Sequence, residues 1–389
     1  MFYLQEQRNI IGIFYPDPRE YHALLESIGT FLETEILPDA KKVDQEALFP
    51  RRNLEKVADR GIMAIPFPKA YNGLGLPYPV YVAALEMLTK ACANTALQVD
   101  VQNMVCEGIR LFGTDRQKEE YLLGNGLAQG NKLIAFALTE PCCGSDASAI
   151  RTSAVLAGDS YVLTGSKTLI TNPGEADFVL VFARTGKGIS AFFVPKGTPG
   201  FDVVADMQKL GFRGNRLSAI RLNKCRVPRE SLLGEEGQGL ECAKQVLNAG
   251  RLSIAAMAVG IAQAAYGKAL AYSKKRNTSE GPISEFQMIR EKLADMETGI
   301  NAARLMTYHA AMLKDKGDDA VSQISQAKLF ASETALMVCD EALQIHGGYG
   351  YTDAFDVHRH WRDARLLTIG EGTSEILRLL IAHLALKGN

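Results

Sequence analysis

The spacing of hydrophobic positions changes twice along this chain, and each change predicts a change of secondary structure. From about residue 18 to residue 123, hydrophobic residues recur every three or four positions, as in Leu24, Ile28 and Phe31. That spacing places them on one face of a helix. The first third of the chain is therefore predicted to be helical, with the Gly- and Pro-rich residues 66–77 as a loop between helices.

Short hydrophobic runs replace this pattern from about residue 131. The runs cover residues 132–138, 161–164, 178–182, 190–194 and 217–222, with Gly, Pro, Asp and Lys between them. Runs of this length, bounded by turn residues, are typical of strands. Because no helical segment of about 10–15 residues alternates with them, as parallel βαβ units require, they predict an antiparallel β domain, a sandwich or a barrel.

Helical spacing returns after Gly239 and continues to the C-terminus. Residues 252–262 are rich in small residues and hydrophobic on most faces, which predicts a helix buried among other helices. The chain is therefore predicted to be an α+β protein. Its parts are an N-terminal helical domain (1–130), a middle antiparallel β domain (131–238) and a C-terminal, four-helix-bundle-like domain (239–389).

Composition is that of a globular protein with more than one domain. Of the 389 residues, 47% are hydrophobic and 22% charged, and no hydrophobic run reaches the length of a membrane span. A net charge of −1 gives no reason to expect binding to nucleic acid or to an anionic membrane. The seven cysteines show no CxxC spacing, and residues 1–8 lack the pattern of an export signal. We therefore expect a reduced, cytoplasmic protein.

Most familiar catalytic motifs are absent from the sequence. No G-x-G-x-x-G follows a strand to open a helix, and neither G-x-x-x-x-G-K-[ST] nor G-x-S-x-G occurs. This argues against a Rossmann dinucleotide site, a P-loop and a serine hydrolase. His358 and His360 are close together but have no carboxylate or cysteine at metal-ligand spacing, so no metal site is predicted.

Glu371 is the most unusual carboxylate of the chain. It lies between Gly370 and Gly372, directly before Thr373 and Ser374, which are typical N-cap residues of a following helix. Flanking glycines allow a ligand to approach the backbone closely, and a helix N-terminus offers unpaired N–H groups to a polarised oxygen. A base and an oxyanion-type donor could then share one site. Taken alone, however, the pattern is explained more simply as a helix cap.

Polar residues follow two of the predicted strands. Residues 139–146 provide hydroxyls, glycine flexibility and backbone amides where the first strand ends, and residues 168–172 end a later strand. Loops held by rigid strands are favoured positions for ligand contacts. Turn chemistry alone also explains either segment.

Several of these segments together resemble the acyl-CoA dehydrogenase family of flavoproteins. Residues 112–122 resemble the late N-terminal helices of that family, and residues 137–146 resemble its first signature. The stretch that begins with residues 344–351 and ends with residues 371–374 resembles its second signature. The resemblance extends over about residues 20–385, in the predicted order of helices, strands and helices.

The resemblance implies that FAD binds between the middle domain and the C-terminal helices. The positions that it implies for FAD binding are Phe136, Leu138, Thr139, Gly144, Ser145, Leu169, Ile170, Thr171, Arg276, Gln287, Gln344, Gly347, Gly348 and Thr373. For the acyl-CoA it implies Ser145, Asn248, Arg251 and Gly372. Because some family positions contact the cofactor across a subunit boundary, a homotetramer built as a pair of dimers is also implied.

The reaction implied by the resemblance is α,β-dehydrogenation of an acyl-CoA thioester to a trans-2-enoyl-CoA. Glu371 would abstract the α proton while its own N–H and a flavin ribityl hydroxyl hold the thioester oxygen. The β hydride would pass to flavin N5, and an electron-transfer flavoprotein would accept the electrons. A family variant places the base one residue before an arginine on an earlier helix. Here Gly250 precedes Arg251, which leaves Glu371 as the matching base.

Several positions depart from the family pattern. Leu169 replaces a Trp or Phe beside the flavin, and residues 276–280 lack the usual Phe-Gly and add an acid, Glu280. Asn248 replaces a common Asp, and Cys142-Cys143 replaces a Gly-Ala pair. The two cysteines are explained more simply as small packing residues than as redox-sensitive neighbours of the flavin. These changes bear on cofactor affinity and oxygen reactivity more than on the fold.

Two alternatives stay open from the sequence. One is a family member with altered chemistry: an oxygen-using acyl-CoA oxidase, a decarboxylase or a desulfinase. The other is a non-catalytic protein that binds acyl-CoA or FAD. The intact Glu371 argues against family members that dispense with the base.

Overall fold

The N-terminal part of the chain is helical in a computed structural model that describes residues 5–15 and 18–388. Its helices are α1 (Gln5–Phe14), α2 (Arg19–Phe31), α3 (Ala40–Gln45), α4 (Arg51–Asp59), α5 (Tyr78–Ala91), α6 (Ala93–Phe112) and α7 (Asp115–Gln117). π-Helical turns extend α2 (Leu32–Ile36) and α7 (Lys118–Gly124). Residues 1–4, part of the segment that lacks an export-signal pattern, lie outside the described residues.

Helix α6 lies in the interior of the molecule. Every residue from Ala93 to Ile109 is buried, including the polar side chains of Gln98, Asp100 and Asn103. Buried polar groups are normally hydrogen-bonded, because an unpaired one costs about 1–3 kcal/mol. The polar residues of α6 therefore point to a polar site inside the protein.

An eight-stranded sheet follows these helices. Its strands are β1 (Ile134–Ala137), β2 (Ser153–Ala157), β3 (Ser160–Thr171), β4 (Phe178–Thr185), β5 (Gly188–Pro195), β6 (Phe201–Asp206), β7 (Leu217–Pro228) and β8 (Leu232–Leu233). The order in space is β6-β7-β3-β2-β4-β5-β8, and β1 pairs with β4. The predicted middle β domain is confirmed.

Most neighbouring strands are antiparallel, but β4 also has parallel partners. β1 runs parallel to β4, from Ile134 opposite Phe178 to Ala137 opposite Val181. β2 also pairs with β4 in parallel, at Ser153 opposite Arg184. The sheet is therefore mixed, which hydrophobic alternation alone does not show because it carries no information on strand direction. Strands β2 and β6 are largely exposed, so no continuous hydrophobic run marks them in the sequence.

The C-terminal part is helical again, as predicted. Its elements are α8 (Gly239–Lys275), a hairpin of β9 (Asn277–Thr278) and β10 (Gly281–Pro282), α9 (Gln287–Asp315), α10 (Val321–His346), α11 (Val357–Leu367) and α12 (Ser374–Leu386). Helices α8, α9 and α10 pack against one another, and α5 completes a four-helix arrangement. The domain boundaries after residues 130 and 238 stay a prediction.

Helix α8 is the central helix of this bundle. It is long and apolar enough to cross a membrane, but most of that stretch is buried inside the protein, as in a core helix. Small residues let neighbouring helices come close: a Cβ at Gly260 would lie 2.4 Å from the Glu86 carbonyl oxygen on α5. The helix therefore presents one long, closely packed surface to its neighbours.

Polar contacts join the sheet to the helices at the end of β3. The Asn172 amide donates to Gln98 Oε1 on α6 and to Asn215 Oδ1, both at 2.7 Å. The Phe212 N–H donates to Asp363 Oδ1 on α11. These contacts join the end of β3 to α6, and the loop before β7 to α11.

Candidate active site

Glu371 lies in a tight turn between α11 and α12. The Thr373 hydroxyl accepts a hydrogen bond from the Ile376 N–H (3.3 Å) and caps α12. Glu371 has φ +55° and Gly372 φ +103°. A non-glycine residue in this region is uncommon and is a position of backbone strain. The capping explanation is therefore correct for Thr373, but it does not explain the strained carboxylate before it.

A half-buried arginine and a buried lysine hold this turn. Arg251 Nε on α8 donates to the Glu371 carbonyl oxygen (3.0 Å), and Lys328 Nζ on α10 donates to the Gly372 carbonyl oxygen (2.7 Å). The Lys328 side chain is fully buried. Burial lowers the pKa of Lys328 to about 8, although the nearby Glu371 charge opposes that shift. Arg251 and Lys328 thus fix the backbone of the turn and add positive charge beside its carboxylate.

The Glu371 side chain rests against the backbone of α8 at Gly250. A Cβ at Gly250 would lie 2.3 Å from Glu371 Oε2 and 2.6 Å from its carboxyl carbon. Real Cβ atoms do not approach other atoms this closely, so any larger residue would displace the carboxylate. Gly250 therefore provides the space that Glu371 fills, besides lacking a carboxylate of its own.

A second carboxyl group, Asp100 of α6, faces Glu371. Both carboxyl oxygens of Asp100 and the Oε2 atom of Glu371 are buried without a hydrogen-bond partner among the described residues, and Ser253 is the other polar neighbour of Asp100. Burial raises the pKa of Glu371, while burial and the Glu371 charge raise the pKa of Asp100 well above its usual range. Two carboxyl groups in such a setting do not both ionise near neutral pH, so the pair holds a proton.

Asp100 and Lys328 were not found from the sequence. Asp100 sits in a helix whose hydrophobic spacing is ordinary, and Lys328 follows Ala327 in a run typical of any buried helix. A buried charge looks like an exposed one in a sequence, because burial depends on helices that are distant along the chain. The one available signal was an acid within an otherwise apolar and neutral stretch of α6.

The loop after β1 is built around a buried ion pair. Glu140 accepts hydrogen bonds from Lys167 Nζ (2.8 Å), the Arg151 N–H (2.6 Å) and the Thr152 N–H (2.9 Å). Burial alone would raise the pKa of Glu140, but the bonds from Lys167 and Thr152 outweigh it and lower the pKa to about 2. Lys167 also donates to the Leu138 carbonyl oxygen (3.0 Å). Glu140 is therefore a structural residue of the first signature.

We expect Lys167→Met to lower the free energy of unfolding by about 3–5 kcal/mol, because it leaves the Glu140 carboxylate buried and unpaired. Denaturant unfolding of the purified protein measures this change. Because the folded-state pKa of Glu140 is lowered, its stabilising contribution is present above about pH 4.5 and is lost as the pH falls toward 2. Lys187→Met, at an exposed lysine in the turn between β4 and β5, is the control. Equal losses in both variants would contradict the assignment.

Seven of the predicted FAD positions lie on the two segments that meet at this loop. The Thr168 N–H donates to the Thr139 carbonyl oxygen (3.0 Å), which joins the end of β1 to β3. Leu138 and Ile170 are buried, Phe136, Thr139 and Thr171 are half-buried, and Gly144 and Ser145 are exposed. The structure therefore brings these predicted residues together, with polar groups exposed at the rim.

Leu169 is the eighth FAD position on these segments and has an unusual conformation. It adopts φ +58°, and 54% of its side chain is exposed. A large apolar side chain held outward in a strained conformation is typical of a contact surface for a ligand. The residue type departs from the family pattern, but its place and exposure suit an apolar ring.

A second group of predicted FAD positions lies far from Glu371. Arg276 follows the last residue of α8, 25 residues beyond Arg251, which corresponds to about 37 Å along a helix. The other members are exposed as well: Gln287, Gln344, Gly347 and Gly348. The structure does not bring these residues to the Glu371 site of the same chain. Glu280, the added acid, is exposed in the hairpin turn of β9 and β10.

The predicted acyl-CoA positions surround the Glu371 turn, except for Ser145 in the β1 loop. Asn248 and Arg251 lie on α8 on either side of Gly250, and Gly372 follows Glu371. Asn248 Oδ1 is buried without a hydrogen-bond partner among the described residues. Such an acceptor suits a ligand donor, although its role in binding the substrate stays a prediction.

Cys142 and Cys143 lie side by side, with their sulfur atoms 3.4 Å apart. Cys142 is exposed and Cys143 is buried. Burial, together with the neighbouring thiol, raises the pKa of Cys143 to about 11, so that thiol is protonated and unreactive near neutral pH. This supports packing as the role of Cys143.

Comparison with known proteins identifies the family. The family models described as acyl-CoA dehydrogenase N-terminal, middle and C-terminal domains match residues 18–130, 135–225 and 237–386. The chain belongs to the acyl-CoA dehydrogenase family. As a member of that family it is an FAD-dependent oxidoreductase.

Curated acyl-CoA dehydrogenases match the chain over most of its length. The mitochondrial short-chain specific acyl-CoA dehydrogenase of Homo sapiens is 42% identical over 371 residues, which cover 94% of this chain and 90% of that protein. The probable acyl-CoA dehydrogenase YngJ of Bacillus subtilis is 44% identical over 376 residues, which cover 95% and 98%.

Solved structures of acyl-CoA dehydrogenases share the fold. Butyryl-CoA dehydrogenase from Megasphaera elsdenii superposes with a TM-score of 0.91 at 37% identity, covering 94% of this chain and 98% of that one. A glutaryl-CoA dehydrogenase from Mycobacterium smegmatis, in complex with FADH2, has a TM-score of 0.90 at 29% identity and covers 95% of each chain. A chain from a study of the electron transferring flavoprotein of Acidaminococcus fermentans has a TM-score of 0.92 at 39% identity, covering 95% and 98%.

The residues of this acyl-CoA dehydrogenase fit the flavin. An isoalloxazine ring needs an apolar contact together with hydrogen-bonding groups at its polar edge. Leu169 offers the apolar contact beside the buried Ile170, and the hydroxyls of Thr139, Ser145 and Thr171 lie on the same two segments. Gly144 leaves its backbone open, since an added Cβ would meet only Thr139 Cγ2, at 3.9 Å.

Proposed function

We propose that this acyl-CoA dehydrogenase acts on short-chain acyl-CoA thioesters and that Glu371 is its catalytic base. The observation that carries the proposal is the geometry of Glu371: a carboxylate on a strained turn, with its Oε2 atom buried, held by Arg251 and Lys328 and seated against Gly250. Its raised pKa makes Glu371 a stronger base than an exposed carboxylate. The short-chain preference rests on relatives named short-chain specific acyl-CoA dehydrogenase or butyryl-CoA dehydrogenase.

The α proton of a thioester needs both a base and a stabilised carbonyl oxygen. Glu371 takes the proton, and its own N–H is available to the oxygen because the helical hydrogen bonds of α11 end with the Gly370 N–H, which donates to Leu366 (2.9 Å). Arg251 and Lys328 add positive charge near the developing enolate. Bound FAD supplies the acceptor for the β hydride, chemistry that no side chain can provide.

The residues near and far from Glu371 support a shared cofactor site. We place the flavin ring against residues 136–145 and 169–171, beside Thr373, of one subunit, with Arg276, Gln287 and the Gln344–Gly348 segment reaching the cofactor from a neighbouring subunit. The long separation along α8 and the exposure of these residues support this division. It requires a homo-oligomer, and we propose a cytoplasmic homotetramer, a pair of dimers. An electron-transfer flavoprotein is the proposed acceptor.

Anaerobic titration with acyl-CoAs of several chain lengths tests the function. We expect the purified protein to be yellow and its flavin absorbance to bleach fastest with butyryl-CoA, with a trans-2-enoyl-CoA as the product. Absorbance spectroscopy and product analysis measure both. A protein without flavin, or a flavin that no acyl-CoA bleaches, would contradict the proposal. Rapid reoxidation by air would instead identify an oxidase. The structural reason to test for one is the exposed Leu169, which is smaller than the Trp or Phe of the family pattern.

A further inference from the structure

Asp100 is a buried acid that the reaction as described does not use. It lies on α6, its side chain is fully buried, and among the described residues no lysine, arginine or backbone N–H donates to either carboxyl oxygen. Its polar neighbours are Ser253 and the carboxyl group of Glu371. A buried carboxylate without a donor or a cation is costly, whereas a neutral carboxyl group that donates to an acceptor is not. Glu371 is the charged acceptor beside it.

The charges around the pair decide which carboxyl group keeps the proton. Arg251 from α8 and Lys328 from α10 contact the turn that carries Glu371, through its carbonyl oxygens, and not Asp100. From α5, Tyr81 faces the pair with a hydroxyl that lies 3.1 Å from Ser253 Oγ. The two cations therefore favour a charged Glu371 and leave Asp100 with the proton.

We propose that Asp100 is a positioning residue for Glu371: its neutral carboxyl group donates a hydrogen bond to the Glu371 carboxylate and holds that carboxylate toward the acyl group. This inference rests on the proposed function of Glu371. A base on a strained turn between two glycines has little local support for its side chain, since neither flanking residue has a Cβ. A donor on the buried stretch of α6, residues 93–109, supplies that support from outside the turn.

The proton count follows from this arrangement. The resting pair holds one proton, on Asp100. When Glu371 takes the α proton, the C–H electron pair becomes the enolate and the β hydrogen leaves with its electron pair for the flavin, so the pair then holds two protons. One of them returns to solvent before the next turnover. Asp100 keeps its own proton throughout and contacts Glu371 rather than the substrate.

The pH dependence of flavin reduction separates positioning from mere packing. In the wild-type enzyme the rate constant of flavin reduction should rise with pH as Glu371 ionises. At higher pH it should fall again, when Asp100 loses its proton and repels Glu371. Asp100→Asn keeps a donor but cannot ionise, so its profile should lose the descending limb. Asp100→Leu removes the donor, so the pKa of Glu371 should rise and the ascending limb should move to higher pH. On the acidic side, the rate constant should then fall about tenfold for each pH unit by which that limb moves.

Thermal unfolding of the holoenzyme gives a readout that does not depend on turnover. Because the folded-state pKa of Asp100 is raised, the unfolded chain ionises Asp100 first, and wild-type stability should fall as the pH rises above about 4. Asp100→Asn removes this loss, so its melting temperature should exceed that of the wild type increasingly between pH 6 and pH 9. Asp115→Asn, at an exposed acid just beyond α6, should follow the wild type in both measurements.

The results distinguish this inference from the proposed function. The role of Asp100 is overturned if the pH profiles of flavin reduction in Asp100→Asn and Asp100→Leu match that of the wild type. It is also overturned if the melting temperatures of Asp100→Asn and the wild type change equally with pH. Either result leaves the function of Glu371 intact. If Glu371→Gln still reduces its flavin at the wild-type rate, the proposed function fails instead, whatever the unfolding data show. An ascending limb that stays at the wild-type pH in Asp100→Asn but moves to higher pH in Asp100→Leu supports the hydrogen bond.

Discussion

Glu371→Gln should retain its flavin and its fold but reduce the flavin with butyryl-CoA at least 10²–10⁴-fold more slowly, the range that a positioned general base contributes. The amide keeps the size of the side chain and its place against Gly250, so the loss reports proton abstraction rather than packing. Stopped-flow absorbance under anaerobic conditions measures the rate constant. Thermal unfolding of the same sample checks that the turn is intact.

Glu375→Gln is the matched control for this variant. Glu375 is an exposed carboxylate in the first turn of α12, four residues beyond Glu371. The same chemical change at that position removes an exposed charge near a helix N-terminus, beyond the Glu371 turn. A wild-type reduction rate in Glu371→Gln, or an equal loss in Glu375→Gln, would contradict the assignment of the base.

Gly250→Ala should slow flavin reduction by about 10²-fold, because the added methyl group takes the space of the Glu371 carboxylate and a displacement of about 1 Å in a catalytic group has an effect of this size. Helix α8 itself should tolerate the change, since alanine favours a helix more than glycine by about 1 kcal/mol. We therefore expect slower flavin reduction with an unchanged helix content. Stopped-flow reduction and circular dichroism measure the two properties.

Gly267→Ala provides the comparison on the same helix. A Cβ at Gly267 would meet no heavy atom within 4 Å, so that variant should have the wild-type rate and equal or greater stability. If Gly250→Ala were as active as Gly267→Ala, the Glu371 carboxylate would have to work from a different position.

The sequence predicts the order of helices, strands and helices because hydrophobic spacing reports which face of each element is buried. It also identifies Glu371, since a carboxylate between two glycines before a cap is a local pattern of neighbouring residues. The assignment of a role to Glu371, however, depended on the family resemblance, because the local pattern is explained equally well by the cap that Thr373 does form.

Two partners of Glu371 could not be predicted, for a physical reason. Asp100 and Lys328 come from two helices that are distant in sequence, and nothing in hydrophobic spacing tells which buried polar residues will meet. Arg251, on a third helix, was predicted only through the family resemblance. Lys167 could not be predicted either, because it is an ordinary lysine of β3 until the fold places Glu140 beside it. Strand direction was missed for a related reason, because parallel and antiparallel strands share the same alternation of side chains.

The length of α8 has a genetic consequence under the proposed arrangement. Arg276 and Arg251 lie at opposite ends of about 37 Å of helix, so each complete site draws on two copies of the chain. A subunit that lacks Glu371 and a subunit altered at its Arg276 end can then form, within one mixed dimer, one site with both defects and one site with neither. Co-expression of two inactive alleles should therefore return part of the activity, whereas neither allele does so alone.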